Sequence, residues 1–299
     1  MRRLFAALAA TVLLAVGHAV LGGPASAAPP PEPGKRALVV GVSQYQSPTR
    51  PTFGGAGDAG AVKAALVKNG WSEENIRMLV DGEATAANIR SGLDWLVNGS
   101  GPDTFSFFHY SGHTRQEPRG MADGDAEEYD ELLWGVDNQF IADGELGQRL
   151  RGLQGRSVIS IAACEAAGFD DNISAPNRLM LTASRETEKA YEYDGAARSV
   201  FVDLLVDQAL LGGAGDADGN KAVSLQEAFA HAAAGAPKET ANQEPYGAQN
   251  PVMAGGDGTE WFLSPPAGGQ SGPLGGLIPK GLLPPGVEGL VNGLAPPTP

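Results

Sequence analysis

Short apolar runs, each broken by a turn signal at its carboxyl end, alternate along the chain with stretches of helical period. RALVVGVSQY (Arg36 to Tyr45), TFSFFHYSGH (Thr104 to His113) and SVISIAACEAAGFDD (Ser157 to Asp171) open on runs rich in Val, Ile and Phe and too short for helices. Each predicts a buried strand, and NIRMLV and NRLMLTAS read the same way. Between them, Ala61, Val62, Ala65 and Leu66 recur at helical spacing before a stop at Gly70. Ile89, Leu93, Leu96 and Val97 line one face of a helix capped by Thr85. Further helices are predicted around Glu145 to Leu153 and through SVFVDLLVDQALLGG. Strands alternating with helices over residues 35–264 predict an α/β domain, a mainly parallel central sheet with helices on both faces.

The two ends depart from this pattern. Residues 1–27 carry two arginines, an apolar run from Leu4 to about Leu21, and Ala25-Ser26-Ala27 as a small-residue cleavage site. They predict a signal peptide, followed by a Pro-rich leader at residues 28–34 and a secreted, extracellular protein with no membrane association once the signal is removed. Residues 265–299 are Gly, Pro and Leu with few charges and no period, so they cannot bury a core; a disordered tail is expected.

Charge narrows the partners. The 299 residues hold 21 Lys and Arg against 35 Asp and Glu, a net charge of -14. That balance argues against nucleic acid and favours cation binding.

Export also sharpens the lone cysteine, Cys164, which can form no internal disulfide. It follows the strand that starts at Ser157, and His113 follows the strand that starts at Thr104. Two strands of one parallel sheet would bring thiol and imidazole together at their carboxyl ends, where open α/β sheets place their sites. A thiol attacks only as thiolate, and a neighbouring imidazole can take its proton and pass it on to a leaving amine. The backbone N–H groups of Gly112 and Cys164 are candidates for an oxyanion hole. The alternative is a buried core Cys with an unrelated surface His. His109 and His113 make an HxxxH pair, but on a strand and without HExxH that spacing does not suit a metal; His109 reads as a hydrogen-bonded core histidine.

RALVVGVSQY, FFHYSGH, DELLWGVD with IADGEL, ISIAACEAAGFDD and MLTASRETEKAYEY stand in the order of the caspase-like cysteine peptidases. The chain resembles a bacterial member of the metacaspase and caspase superfamily and, more distantly, legumain. The resemblance covers about Lys35 to Ala234. It implies the caspase-hemoglobinase fold, a protein or peptide substrate, hydrolysis by a Cys164–His113 dyad, no organic cofactor, and a substrate pocket at Ala162 and Ser184. Two departures stand out: Thr114 where the family usually has Gly, and Ala162 where it usually has an acid or amide. A methyl group at 162 predicts a neutral or broad preference at that subsite.

Residues 216–227, DADGNKAVSLQE, follow the order of an EF-hand calcium loop: Asp216, Asp218 and Asn220, the Ala222 carbonyl, Ser224, and Glu227 at the twelfth position. Lys221 replaces the usual glycine at the sixth. An Asp-rich turn ahead of a helix is the other reading. A second acidic stretch, residues 121–146, reads as too charged for core; Asp123, Asp125, Asp130 and Glu131 there are a second candidate calcium set, because calcium near this region activates metacaspases, which the chain resembles. The expectation is thus a secreted, calcium-linked cysteine endopeptidase. The alternative is a catalytically silent calcium-binding or adhesion module; a serine hydrolase is disfavoured because GxSxG is absent.

Overall fold

A computed structural model describes residues 34–118, 129–170 and 173–264. The candidate signal peptide, most of the leader, the C-terminal tail, Asp123 and Asp125 lie outside the described residues. The strands are β1 (Gly34–Gly41), β2 (Ile76–Val80), β3 (Thr104–Ser111), β4 (Thr114–Pro118), β5 (Tyr129–Trp134), β6 (Phe140–Ala142), β7 (Arg156–Ala162), β8 (Arg178–Thr182) and β9 (Val252–Gly255). The helices are α1 (Gly55–Lys68), α2 (Ala86–Asn98), α3 (Asp143–Leu150), α4 (Val200–Val202) and α5 (Leu225–Glu239), with α4 continuing as a π-helix over Asp203–Leu211. Among the described residues, no helix is long and apolar enough to cross a membrane.

Six strands form one sheet in the order β2-β1-β3-β7-β8-β9, all parallel except the last pair. Strand alternation sorts the core. Ala37, Val39, Phe105, Phe107 and Val158 face a layer built by α1, α4 with its π continuation, and α5. Leu38, Val40, Phe108, Ile159 and Ile161 face α2 and α3 on the other side. The expected α/β architecture with helices on both faces is therefore present. Helix α2 starts as its sequence indicates, with the Thr85 hydroxyl accepting the Asn88 N–H. His109 is fully buried, its Nδ1 hydrogen-bonded to Ser160, and burial lowers its pKa to about 3.

The acidic stretch differs from its reading as a solvated loop. Residues 129–134 of it form β5, the middle strand of a small antiparallel sheet β4-β5-β6, and there Asp130 and Glu131 are buried. Burial is possible because hydrogen bonds replace the lost water. Gln116 donates to Glu131 Oε1 at 2.7 Å, and the Glu131 N–H donates to the buried Asp143 at 2.7 Å.

The chain leaves β1 for β2 on one side and enters β3 on the other, so the strand order reverses between β1 and β3. Ligands of open α/β sheets bind outside the carboxyl ends at such a reversal. Those ends lead into the segments that hold Tyr45, Arg50 and His113, with Cys164 following the neighbouring β7.

Candidate active site

Strands β3 and β7 pair in register with Ser111 opposite Ala162. His113 and Cys164 each lie two residues past that pair, so thiol and imidazole residues leave adjacent strand ends at the same level. Thr114 ties the two loops: its hydroxyl donates to the Cys164 carbonyl at 2.7 Å. The residue that departs from the familiar glycine is thus a bridge between the two candidate catalytic segments.

His113 is held on all sides. Its N–H donates to the Tyr45 hydroxyl at 2.7 Å, and its carbonyl accepts from Tyr110 at 2.5 Å. Its Nε2 lies 2.9 Å from the Arg50 carbonyl. A carbonyl can only accept, so Nε2 carries the proton and Nδ1 is left as the basic nitrogen. Gly112 is required for this approach, since a Cβ there would sit 2.5 Å from the Tyr45 hydroxyl oxygen and 3.0 Å from that of Tyr110.

Cys164 is half-buried, and no hydrogen bond joins it to His113. Its sulfur instead meets Ala190, at 3.5 Å from the N–H and 3.8 Å from the carbonyl. Burial and the neighbouring Glu165 carboxylate push the thiol pKa up. Glu165, at φ +50, is itself buried and paired with Lys189. The resting cysteine is thus a protonated thiol that needs a base. Neither the Gly112 nor the Cys164 N–H makes a backbone hydrogen bond among the described residues, so both donors are uncommitted.

Ala162 is 5% exposed and packs with the core, while Ser184 is fully buried. The Ser184 hydroxyl donates to the Ala163 carbonyl and accepts the Ala166 N–H, bracing the main chain on either side of Cys164. Beneath the same strand pair lies Asp58 of α1, which carried no signal in the sequence. It accepts from the Ser111 hydroxyl at 2.7 Å and the Ser199 N–H at 3.0 Å, with Arg198 3.8 Å away. Burial raises its pKa to about 6 against these opposing contacts. A carboxyl whose folded pKa is raised contributes stability below its unfolded pKa near 4 and loses it as pH rises through about 6. Unfolding free energy should therefore fall by about 3 kcal/mol between pH 4 and 7 through this group. Asp58→Asn should flatten that part of the profile in denaturant titrations; an unchanged slope would show that Asp58 titrates normally.

Residues 35–168 match the family model described as metacaspase, peptidase C14 domain. This stretch is similar to the metacaspase peptidase domain. Metacaspase-1 of Cryptococcus neoformans var. neoformans serotype D (strain B-3501A) is 37% identical over 167 residues, covering 52% of this chain and 35% of that protein. Metacaspase-6 of Arabidopsis thaliana is 33% identical over 117 residues, 37% of this chain and 32% of that protein. The chain therefore spans about a third of the length of these relatives. A crystal structure of protein GSU0716 from Geobacter sulfurreducens shares the fold, with a TM-score of 0.54 at 15% identity over 75% of this chain and 94% of that one.

The metacaspase match ends at Gly168, and the EF-hand-like loop lies beyond it. There Asp216, Asp218 and Glu227 bring carboxylate oxygens within 4.8 Å of one another. Lys221 adopts the left-handed conformation its glycine counterpart would have, at φ +69, and its N–H donates to Asp216 Oδ2 at 3.1 Å. Asp216 Oδ1 is buried with no hydrogen-bond partner. Asn220 accepts from the Ala222 N–H, and Ser224 caps α5 in a reciprocal box with Glu227. An orphaned buried carboxylate oxygen beside two further acids fits a hard cation. Of the second candidate set, Asp130 and Glu131 lie inside β5, and Glu131 packs against Gly168 of the cysteine loop, where a Cβ would come within 2.3 Å of its carboxyl carbon.

The site also contains groups that sequence reading missed: the Arg50 carbonyl, Tyr45, Tyr110, Glu165 with Lys189, and Asp58. A carbonyl carries no side-chain signal, but the tyrosine after β1 and the Tyr two before Gly112 were visible as polar-tipped aromatics beside a strand end.

Proposed function

We propose that the protein is a secreted, calcium-linked cysteine endopeptidase acting on protein or peptide substrates. The observation that carries this reading is the register of β3 and β7, which leaves His113 and Cys164 at the same level on adjacent strand ends. His113 Nδ1 takes the Cys164 proton, the thiolate sulfur attacks the scissile carbonyl carbon, and the oxyanion accepts the Gly112 and Cys164 N–H groups. Collapse breaks the C–N bond as the imidazolium protonates the leaving amine. Water, deprotonated by the same imidazole, then cleaves the thioester and restores the thiol.

Ala162 is packed in the core and offers no charge, so this position supplies no charged partner to the substrate residue on the acyl side of the scissile bond, and the preference there would be neutral or broad. Of the six expected ligands, Asp216, Asp218, Asn220, Glu227 and the Ala222 carbonyl would hold calcium, with the Ser224 hydroxyl already committed to the cap of α5; the ion would supply charge neutralisation and loop order rather than chemistry. Secretion rests on the pattern of residues 1–27 and is checked by N-terminal sequencing of the protein recovered outside the producing cell.

A silent calcium-binding or adhesion module is the second reading, favoured by the raised thiol pKa and by the thiol's contact with Ala190 rather than His113. Peptidyl electrophiles that differ only in the residue leading into the warhead separate the two. The peptidase reading expects covalent labelling of Cys164, comparable for neutral and basic leading residues, and none in Cys164→Ala. Labelling no faster than that of a free thiol peptide favours the silent module, and a hundredfold excess for Arg overturns the neutral subsite.

A further inference from the structure

Two aromatic rings pack against His113 and against each other, and the side chain of one also holds its main chain. The Tyr45 ring lies 4.9 Å from the imidazole at a 34° tilt, and the Trp134 indole lies 5.9 Å away on a 53° tilt. The two flanking rings contact each other edge-on at 6.3 Å. Tyr45 holds the His113 main chain through its side-chain hydroxyl, which accepts the His113 N–H, whereas Trp134 does so through its own backbone N–H, 3.2 Å from the His113 carbonyl.

Its own position is fixed from several directions. The N–H groups of Ser43 and Gln44 both donate to Asp81 Oδ1, at 2.7 and 2.8 Å, and the Gln46 N–H donates to the Val136 carbonyl at 2.9 Å. Trp134 is anchored through its indole N–H to Asn138 at 3.1 Å, and Asn138 donates back to the Gln46 carbonyl at 3.0 Å. The segment after β1 and the end of β5 with the turn that follows thus grip each other beside the histidine.

We propose that Tyr45 is a positioning residue for His113. Its hydroxyl accepts the His113 N–H, and its ring, packed beside Trp134 against the imidazole, holds the orientation in which Nε2 meets the Arg50 carbonyl and Nδ1 is free. The inference rests on the reading of His113 as the acid-base group. A positive imidazolium, formed each time the thiol is deprotonated, is also favoured beside the negative faces of these rings. Tyr45 would therefore act on the proton-transfer steps and leave substrate binding alone. This predicts a loss in kcat with KM nearly unchanged, because geometry a fraction of an ångström from productive is costly only in the reacting complex.

The test compares Tyr45→Phe and Tyr45→Leu in the full chain, with His113→Ala as reference. Tyr45→Leu should lower kcat by about a hundredfold with KM within about twofold, and Tyr45→Phe, which keeps the ring and loses only the hydroxyl, should fall between it and wild type. Alkylation of Cys164 by iodoacetamide at pH 7 supplies a readout that does not depend on turnover. If His113 assists ionisation of the thiol, Tyr45→Leu should slow alkylation towards the His113→Ala rate, whether or not any peptide is hydrolysed. A wild-type protein without peptidase activity but with this ordering of alkylation rates would retain the positioning role while removing the function proposed above. Unchanged kcat and alkylation in Tyr45→Leu overturn the inference; should that variant fail to fold, a Tyr45→Phe indistinguishable from wild type in both measurements overturns it equally. A rise in KM at constant kcat also overturns it, by making Tyr45 a substrate contact.

Discussion

Cys164→Ala should lower kcat/KM for peptide hydrolysis by at least about three orders of magnitude, and His113→Ala should do nearly as much. Without the sulfur no acyl-enzyme can form, and without the imidazole the thiol has no base. That second point is sharper in this protein than in one with a pre-formed thiolate. Burial and Glu165 hold the Cys164 pKa up, so at neutral pH the thiolate is a small fraction of the resting population. The reactivity of Cys164 in His113→Ala should consequently climb steeply as pH rises above 8, as an unassisted thiol ionises, and approach wild type at high pH. The double variant should be little worse than Cys164→Ala, because the two groups act as one unit. Thermal unfolding of both single variants should stay within a few degrees of wild type, since neither side chain is part of the buried core. Full activity in Cys164→Ala would remove the nucleophile assignment.

The placement of Cys164 and His113 at neighbouring strand ends was legible because each follows an apolar run too short for a helix. The groups that orient them were not legible in the same way. Thr114 reaches Cys164 across 50 residues of sequence, and Tyr45 reaches His113 across 68. Such contacts are created by the strand order and have no local periodicity to announce them. Read locally, Thr114 was only a bulkier substitute for a glycine.

The fold shows the same division. Strands with continuous apolar runs (β1, β3, β7) and helices with a clear apolar face (α1, α2) could be read directly from period and caps. Strand β5 could not, because Asp130 and Glu131 violate the pattern of a buried strand, and the Gln116 amide that meets the Glu131 carboxylate comes from β4, 15 residues away. Strand β9 is four residues long and pairs antiparallel with β8 at the sheet edge, too short for alternation to register. The helix after Ser199 was expected, but its widening into a π-helix was not; the sequence there reads as ordinary helix former.

Calcium should raise the melting temperature of the protein, and Asp216→Asn should abolish that rise. At a free concentration a hundred times Kd, a ligand specific for the folded state adds about 2.7 kcal/mol, which corresponds to roughly 5–10 °C for a domain of this size. The structure separates the metal from its surroundings. Asp216 offers the orphaned oxygen, whereas both Glu227 oxygens are already bonded, one to the Ala217 N–H and the other to the N–H and hydroxyl of Ser224. Glu227→Gln should therefore lower the melting temperature even in chelator, by weakening the box that starts α5, at a cost of about 1 kcal/mol. Asp216→Asn should leave the chelated protein as stable as wild type or slightly more so, because a buried, partly unsatisfied carboxylate is replaced by a neutral amide. Activity at saturating calcium should be unchanged in both variants. The loop stands beside Lys68 and Asn69 at the end of α1, and Lys35 at the start of β1 donates to the Asn69 carbonyl, so it lies towards the amino ends of the strands, the end opposite the dyad, one strand length of ~25 Å away. Isothermal calorimetry and thermal unfolding with calcium against chelator decide the matter. An absence of binding heat together with identical melting in both conditions would make residues 216–227 a capped acidic turn and nothing more; a calcium-dependent rise that survives in Asp216→Asn would move the ion to other ligands.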